Sequence, residues 1–240
     1  MKKTTLNIHN LVLLWELAGR SSGGFKKGTA YSVSTVENSD WPNRIWVNNT
    51  TSQATIQDIK SEMNDNNQIT FSHFNEENKE TSVMLDRGFK IKSLQYGMSL
   101  SLNSKFNIDN NLILDRVHDT MNAKFWSQAF YEAFRYKIAA ETITKTSDTI
   151  EYYLVKNEQT LVGTIILFVT NNTVGIHSLG IIPSQRKKGY AREIMNTVLN
   201  MAIDRNYHLA TLQASEMAKN MYAKMGFSLD FMMENYTLKL

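Results

Sequence analysis

No cysteine occurs among the 240 residues, which excludes disulfides, thiolate zinc sites and a cysteine nucleophile. This usage fits a cytoplasmic protein with no metal centre, and any catalysis must draw on other groups. Excess charge is scarce as well: 26 Lys and Arg against 23 Asp and Glu leave a formal +3, too little to argue for nucleic acid or a membrane surface as partner. Long apolar runs are missing too. No uncharged apolar stretch approaches the ~20 residues that span a bilayer. Met1, Lys2 and Lys3 resemble the start of a signal peptide, but the apolar run from Leu11 to Trp15 is short and flanked by Asn7, His9, Asn10 and Glu16. The segment reads as an amphipathic helix of a soluble protein. Hydrophobic residues make up 42% of the chain, enough to build a core for one large or two small domains.

What is present concentrates near residue 189. Residues 183–191 read Pro-Ser-Gln-Arg-Lys-Lys-Gly-Tyr-Ala after an apolar run. Apolar residues then recur at Ala191, Ile194, Met195, Val198, Leu199, Ala202 and Ile203, the spacing of one helical stripe. Gly189 therefore sits at a helix mouth, where free N–H groups and the positive end of the dipole favour an anion. Arg186, Lys187 and Lys188 add charge at the same spot, so the turn from Gln185 through Tyr190 to Ala191 is a candidate phosphate cradle. A basic turn of no such role has the same composition. Further on, residues 212–227 run Leu-Gln-Ala-Ser-Glu-Met-Ala-Lys-Asn-Met-Tyr-Ala-Lys-Met-Gly-Phe before two strand-like runs.

These two segments together resemble the Gcn5-related N-acetyltransferase (GNAT) family, over roughly residues 110–240. The family pattern Arg-x-x-Gly-x-Gly/Ala, which holds the pyrophosphate of acetyl-coenzyme A, is matched by Arg186, Gly189 and Ala191. The family's later helix, with a tyrosine four residues before Gly-Phe, is matched by Tyr222, Gly226 and Phe227. By spacing alone Tyr222 is an aromatic core residue on a face with Ala218, Met221 and Met225; the resemblance makes it the general acid to the coenzyme A thiolate. Ser178, Leu179, Gly180 and Ile181 match the strand whose backbone pairs with the pantetheine arm and polarises the thioester oxygen. Ser215 stands where many members carry an asparagine, a departure that touches one cofactor contact. The resemblance implies acetyl transfer to an amine of a small molecule or peptide, with coenzyme A and that amine as partners, and it is compatible with a homodimer.

The chain also carries an internal echo. The Gly-Phe pairs at 88 and 226 lie 138 residues apart, and at that offset Ile91 meets Leu229, Leu94 meets Met232, Met98 meets Tyr236, and Leu100 and Leu102 meet Leu238 and Leu240. Each copy reads as a helix end, a tight turn at glycine and a two-stranded finish. Tandem GNAT-like halves follow, 1–105 and 110–240, divided by the polar stretch 103–111. Arg186, Gly189, Ala191 and Tyr222 fall on Asn48, Thr51, Gln53 and Met84, so the first half reads as degenerate and the second is expected to hold the whole cofactor site. The expected order in the second half is a strand at 112–117, helices over 123–142 and strands at 150–155, 161–169 and 174–182. The cofactor helix follows, then a strand at 209–213, a helix at 216–225 and two closing strands. The fold class is α/β, a mixed, mostly antiparallel sheet flanked by helices.

A general base is less defined. His177 lies on the strand before the cradle and titrates near neutrality, although a histidine in a strand also reads as structural. Glu132 and Glu141 are alternatives acting through water, or solvated surface. Phe125, Trp126, Phe130, Tyr131 and Phe134 have helical spacing and read as core whose edge lines an acceptor pocket. Two competing functions remain: a non-catalytic acyl-CoA sensor, which has no need of Tyr222, and a nucleic-acid module, for which no second basic stripe exists.

Overall fold

The computed structural model describes residues 1–48, 52–76, 82–109 and 112–239. The N-terminal amphipathic run forms α1 (Lys3–Ser21), which buries Leu11, Leu14, Trp15 and Ala18 at helical spacing. Three short strands follow, β1 (Phe25–Lys27), β2 (Tyr31–Ser34) and β3 (Arg44–Val47). Then come α2 (Gln53–Asp65), β4 (Thr70–Asn75), the single turn α3 (Ser82–Leu85) and the long β5 (Phe89–Ser101).

The second half begins with β6 (Leu112–Arg116), α4 (Thr120–Phe134) and α5 (Ala140–Thr146). The strands β7 (Glu151–Asn157), β8 (Thr160–Thr170) and β9 (Thr173–Ile181) lead through a 3-10 turn at Pro183–Gln185 into α6 (Tyr190–Asp204). Last are β10 (Leu209–Ser215), α7 (Lys219–Lys224) and β11 (Ser228–Leu238). All eleven strands lie in one sheet, ordered β1-β2-β3-β4-β11-β5-β10-β9-β8-β7-β6. Among the described residues, only β3 with β4 and β9 with β10 run parallel. The fold class is the expected one, a mixed, mostly antiparallel sheet with helices on its faces. Two details differ: each copy finishes in one long strand, not two, and the helix expected over 216–225 is confined to Lys219–Lys224.

The echo in the sequence becomes a symmetry at the centre of the sheet. Strands β5 and β11 pair antiparallel, with Ser99 opposite Ser228 and Lys90 opposite Thr237, and with Met98 opposite Leu229 and Ile91 opposite Tyr236. Each such couple maps onto the other under the 138-residue offset, and Gln95 opposite Met233 maps onto itself. Even the bulges correspond. Asp230 and Lys92, the residues left out of register on the two strands, are also 138 apart. Gly88 and Gly226 both turn the chain with positive φ, 87° and 97°, a conformation that favours glycine. Met84, Phe89 and Tyr236 share one core cluster, and their counterparts Tyr222, Phe227 and Met98 share another. The last pair, Leu102 with Leu240, involves a residue outside those described, as do Thr51 and residues 110 and 111 of the polar divide.

The halves exchange their final strands. β11 of the second half lies between β4 and β5 of the first, and β5 lies between β11 and β10. A third cluster joins the halves across the other face, with Leu11, Leu14 and Trp15 of α1 beside Trp126, Phe130 and Tyr152. Residues 106–240 expressed alone would leave both edges of β11 and one edge of β10 unpaired, an aggregation hazard. We expect no cooperative thermal transition from that fragment, and recovery of a soluble complex on co-expression with residues 1–105. A soluble fragment that melts cooperatively by itself contradicts this topology.

Candidate functional site

The site begins where the sheet comes apart. β9 and β10 pair at only three positions, Thr173 to Gly175 against Leu209 to Thr211, and then separate. A bulge on β9 turns it aside. Thr164 faces Gly180 and Ile166 faces His177, so Ser178 and Leu179 together stand against Ile165 alone, with Ser178 at φ 53°. The backbone of Ser178 and Leu179 is thereby released from the ladder at the point of divergence. A cavity of about 190 Å³ opens there, lined on its second-half side by Ser178, Leu179, Ala214, Ser215 and Tyr222. Gly180 and Ile181 remain paired to β8 beside it.

The cradle follows directly. Gly189 is the N-cap of α6 at φ 83°, makes no side-chain cap, and a Cβ built on it meets nothing within 4 Å. Among the described residues, the N–H groups of residues 187–191 meet no acceptor in the chain. This is an open helix mouth with its donors free. Arg186 is not free: its Nε donates to the Ile181 carbonyl at 3.1 Å and its Nη2 to the Ala133 carbonyl at 2.8 Å. It straps the turn to the end of α4. Lys188 Nζ donates to Gln185 Oε1 at 2.9 Å, Lys187 is exposed at φ 62°, and the Tyr190 hydroxyl accepts from Asn157 Nδ2 at 2.9 Å. Ala191 lies in the first turn of α6.

The corresponding mouth in the first half is closed. The N-cap of α2 is Ser52, whose hydroxyl accepts from the Thr55 N–H at 3.1 Å. The helix thus starts one position away from the match of Thr51 to Gly189 that the offset suggests, because the equivalence slips by one residue here. Its end is capped by its own chain, while α6 is left open. Asn48 is engaged with Ser32 and the Gly28 carbonyl, and Met84 fills the tyrosine position as buried apolar bulk.

Tyr222 is 8% exposed, its ring edge-on to Phe227 with centroids 5.7 Å apart. It packs in the core and lines the cavity, so the structural and the chemical reading coexist. Among the described residues its hydroxyl has no hydrogen-bond partner, and burial pushes its pKa up to about 12. The hydroxyl is therefore protonated at neutral pH.

His177 lines the cavity but is held from both sides. Its Nε2 lies 3.1 Å from Asn10 Oδ1 and its Nδ1 3.2 Å from Gln213 Oε1. Asn10 Nδ2 donates to the Phe168 carbonyl and Thr170 Oγ1, and Gln213 Nε2 donates to Asn7 Oδ1. Asn7 Nδ2 in turn donates to Asp230 Oδ2 and the Met98 carbonyl. Each ring nitrogen faces an amide oxygen and the neutral ring donates its single proton to one of them; this enclosure favours the structural reading of His177, which links α1 to β9 and β10. Glu132 and Glu141 do not reach the cavity; Glu132 accepts from Gln128, and Glu141 pairs with Lys145. The aromatic group divides, with Trp126 and Phe130 fully buried, Phe125 and Tyr131 exposed, and only Phe134 on the cavity wall.

The opposite wall comes from the first half, through Leu11, Leu14 and Trp15 of α1 together with Trp41, Arg44 and Gln95. Nothing in the sequence marked these residues. They lie far from the motifs along the chain, and only the shared sheet brings them together.

Burial lowers the His177 pKa to about 4, with the Gln213 hydrogen bond opposing. The unfolded chain, at its ordinary value near 6.5, then binds a proton first as pH falls. His177 should thus cost no stability above pH ~6.5 and up to roughly 3 kcal/mol on acidification toward pH ~4. Denaturant melts of the parent and His177→Gln across this window check the sign; equal pH slopes in the two proteins contradict it.

Residues 114–227 match the model of the Acetyltransferase (GNAT) family. No curated protein matches the chain significantly. Among solved structures, a GCN5-related N-acetyltransferase from Kribbella flavida is 12% identical with a TM-score of 0.71, over 98% of this chain and 95% of that one. Another from Sphaerobacter thermophilus is 14% identical with a TM-score of 0.64, over 90% and 82%. A tandem GNAT protein from the clavulanic acid biosynthesis pathway is 9% identical with a TM-score of 0.56, over 97% and 94%. At these identities the likeness is one of fold, and it extends over nearly the whole chain. Residues 114–227 are thus a GNAT-family domain by their match to the family model, set in a fold shared with these acetyltransferases.

Proposed function

We propose that this protein is an acetyl-CoA-dependent N-acetyltransferase acting on a primary amine of a small molecule or peptide. Residues 110–240 supply the cofactor site, and 1–105 form a degenerate half that completes the acceptor side. One observation carries the reading: a protonated, unpartnered tyrosine hydroxyl faces a cavity at the point where β9 leaves β10, next to an open helix mouth.

The residues suit acetyl-coenzyme A. The free N–H groups of residues 187–191 offer donors to the pyrophosphate, Lys187 and Lys188 add positive charge, and Arg186 holds the turn in shape. The backbone from Ser178 to Ile181, released at Ser178 and Leu179, runs alongside the pantetheine arm, and the N–H freed at the bulge polarises the thioester oxygen. Ser215 borders the same space. The amine attacks the thioester carbon, the carbon–sulfur bond breaks, Tyr222 gives its proton to the departing sulfur, and the proton shed by the amine passes to solvent, from which Tyr222 is reprotonated. His177 positions rather than exchanges protons, fixing β9 and β10 at their divergence through Asn10 and Gln213.

Gly189→Glu should abolish coenzyme A binding, because an anionic side chain would occupy the phosphate position at a φ that also strains any L-residue. Arg186→Ala should weaken binding by about 10- to 100-fold through loss of the strap. Calorimetry checks both, and unchanged affinity in the two variants contradicts the cradle.

Tyr222→Phe keeps the ring packing and removes the proton. Turnover at saturating substrates should fall by ~10²–10⁴-fold with coenzyme A affinity nearly intact. A rate equal to the parent's, with chemistry rate-limiting, would make Tyr222 structural. Tight coenzyme A binding with no turnover of any amine would favour a sensor.

A further inference from the structure

We propose that Arg44 holds a carboxylate carried by the acceptor, so that this protein acts on amines that are also acids, of the amino-acid type. The inference rests on the reading of the cavity as the acceptor site.

Arg44 belongs to the half that carries no cofactor cradle. On β3 it is fixed in register between Ser34 and Thr70, and its side chain reaches the cavity that Tyr222 lines from the opposite side. Its Nε is buried with no hydrogen-bond partner, and no carboxylate among the described residues pairs with the guanidinium. The guanidinium carbon instead lies 5.9 Å from the centroid of Trp15, with Tyr136 on the same wall. A half-buried cation whose enclosed Nε has no partner is costly, and a ligand that supplies the partner removes that cost. Burial accordingly lowers its pKa from the usual arginine value.

The surrounding charges specify the missing partner. Lys92, the bulge residue of β5, is near enough for Arg44 to lower its pKa further, and its Nζ donates to Thr70 Oγ1 at 3.0 Å. Asp40 opposes this, but its Oδ2 is occupied by the Lys137 N–H at 2.6 Å. Two cations and one carboxylate leave one net positive charge, which matches a monoanion. The planar fork of a guanidinium fits a carboxylate through two parallel hydrogen bonds. At about 190 Å³ the cavity is smaller than the ~300–1,000 Å³ usual for drug-sized ligands, which suits a compact acceptor. An amine directed at the thioester from between β9 and β10, with its acid end on Arg44, would span the cavity from one half to the other.

The test pairs α-amino acids with their carboxamides as acceptors, reading thiol release with acetyl-CoA. The parent should prefer the free acids by about 10- to 100-fold in kcat/KM, mainly through KM, the worth of one bidentate charged contact. Arg44→Gln should erase the preference while coenzyme A affinity stays unchanged. Arg44→Met, which replaces the unpaired charge with an apolar chain, serves if the glutamine variant does not fold. A preference that is absent, or that survives loss of Arg44, overturns the proposal. If no amine is acetylated although coenzyme A binds, the acetyltransferase reading fails separately. The same pairs are then titrated calorimetrically onto the coenzyme A complex: acid-selective binding lost with Arg44 upholds the carboxylate site, and equal or absent binding overturns it.

Discussion

The antiparallel pairing of β5 with β11 is the interaction on which the rest of this molecule depends. Each strand is the last of its half, and each takes its neighbours from both halves, so neither sheet is complete without the exchange. The register is symmetric about Gln95 and Met233, and both of those side chains reach the cavity. The pseudo-twofold axis thus passes beside the site. A half that has lost its own cradle remains indispensable, because its strand and helix build one wall of the space in which the other half works.

Symmetry in the backbone has been broken by chemistry at two matching places. At the helix mouths, α2 caps the Thr55 N–H with the Ser52 hydroxyl, whereas α6 opens at a glycine with positive φ and empty space above it. At the turns before the final strands, Met84 supplies apolar bulk where Tyr222 places a hydroxyl kept protonated by burial. Small local differences therefore leave one helix mouth open and the other capped. The parting of β9 from β10 then needs a support, since a strand leaving its ladder exposes unpaired backbone. The amides around His177 provide one, anchoring both strands to α1.

Much of this was legible in the sequence where the signal is local. The helical stripe after Gly189 and the basic turn before it placed α6 and its open end, and the Gly-Phe echo placed both final strands. Periodicity could not show that these strands swap, because an apolar alternation states which face is buried and not which neighbour it meets. That is also why a two-stranded finish was expected where one long bulged strand exists. His177 read as a candidate base because the sequence does not display Asn10 and Gln213 beside it. Trp15 read only as part of an amphipathic helix, and Arg44 and Trp41 carried no signal. Their role arises from contacts between residues more than a hundred positions apart, which no spacing rule reaches.

Amide hydrogen exchange of the intact protein, with and without coenzyme A, tests the central claim most directly. New protection should fall on residues 187–191 and on the released segment of β9 at residues 178 and 179. The start of α2 around Ser52 should be unaffected, because the Ser52 side chain already caps that end. Protection gained at α2, or absent from the start of α6, would contradict the account of an asymmetric pair with one working cofactor site.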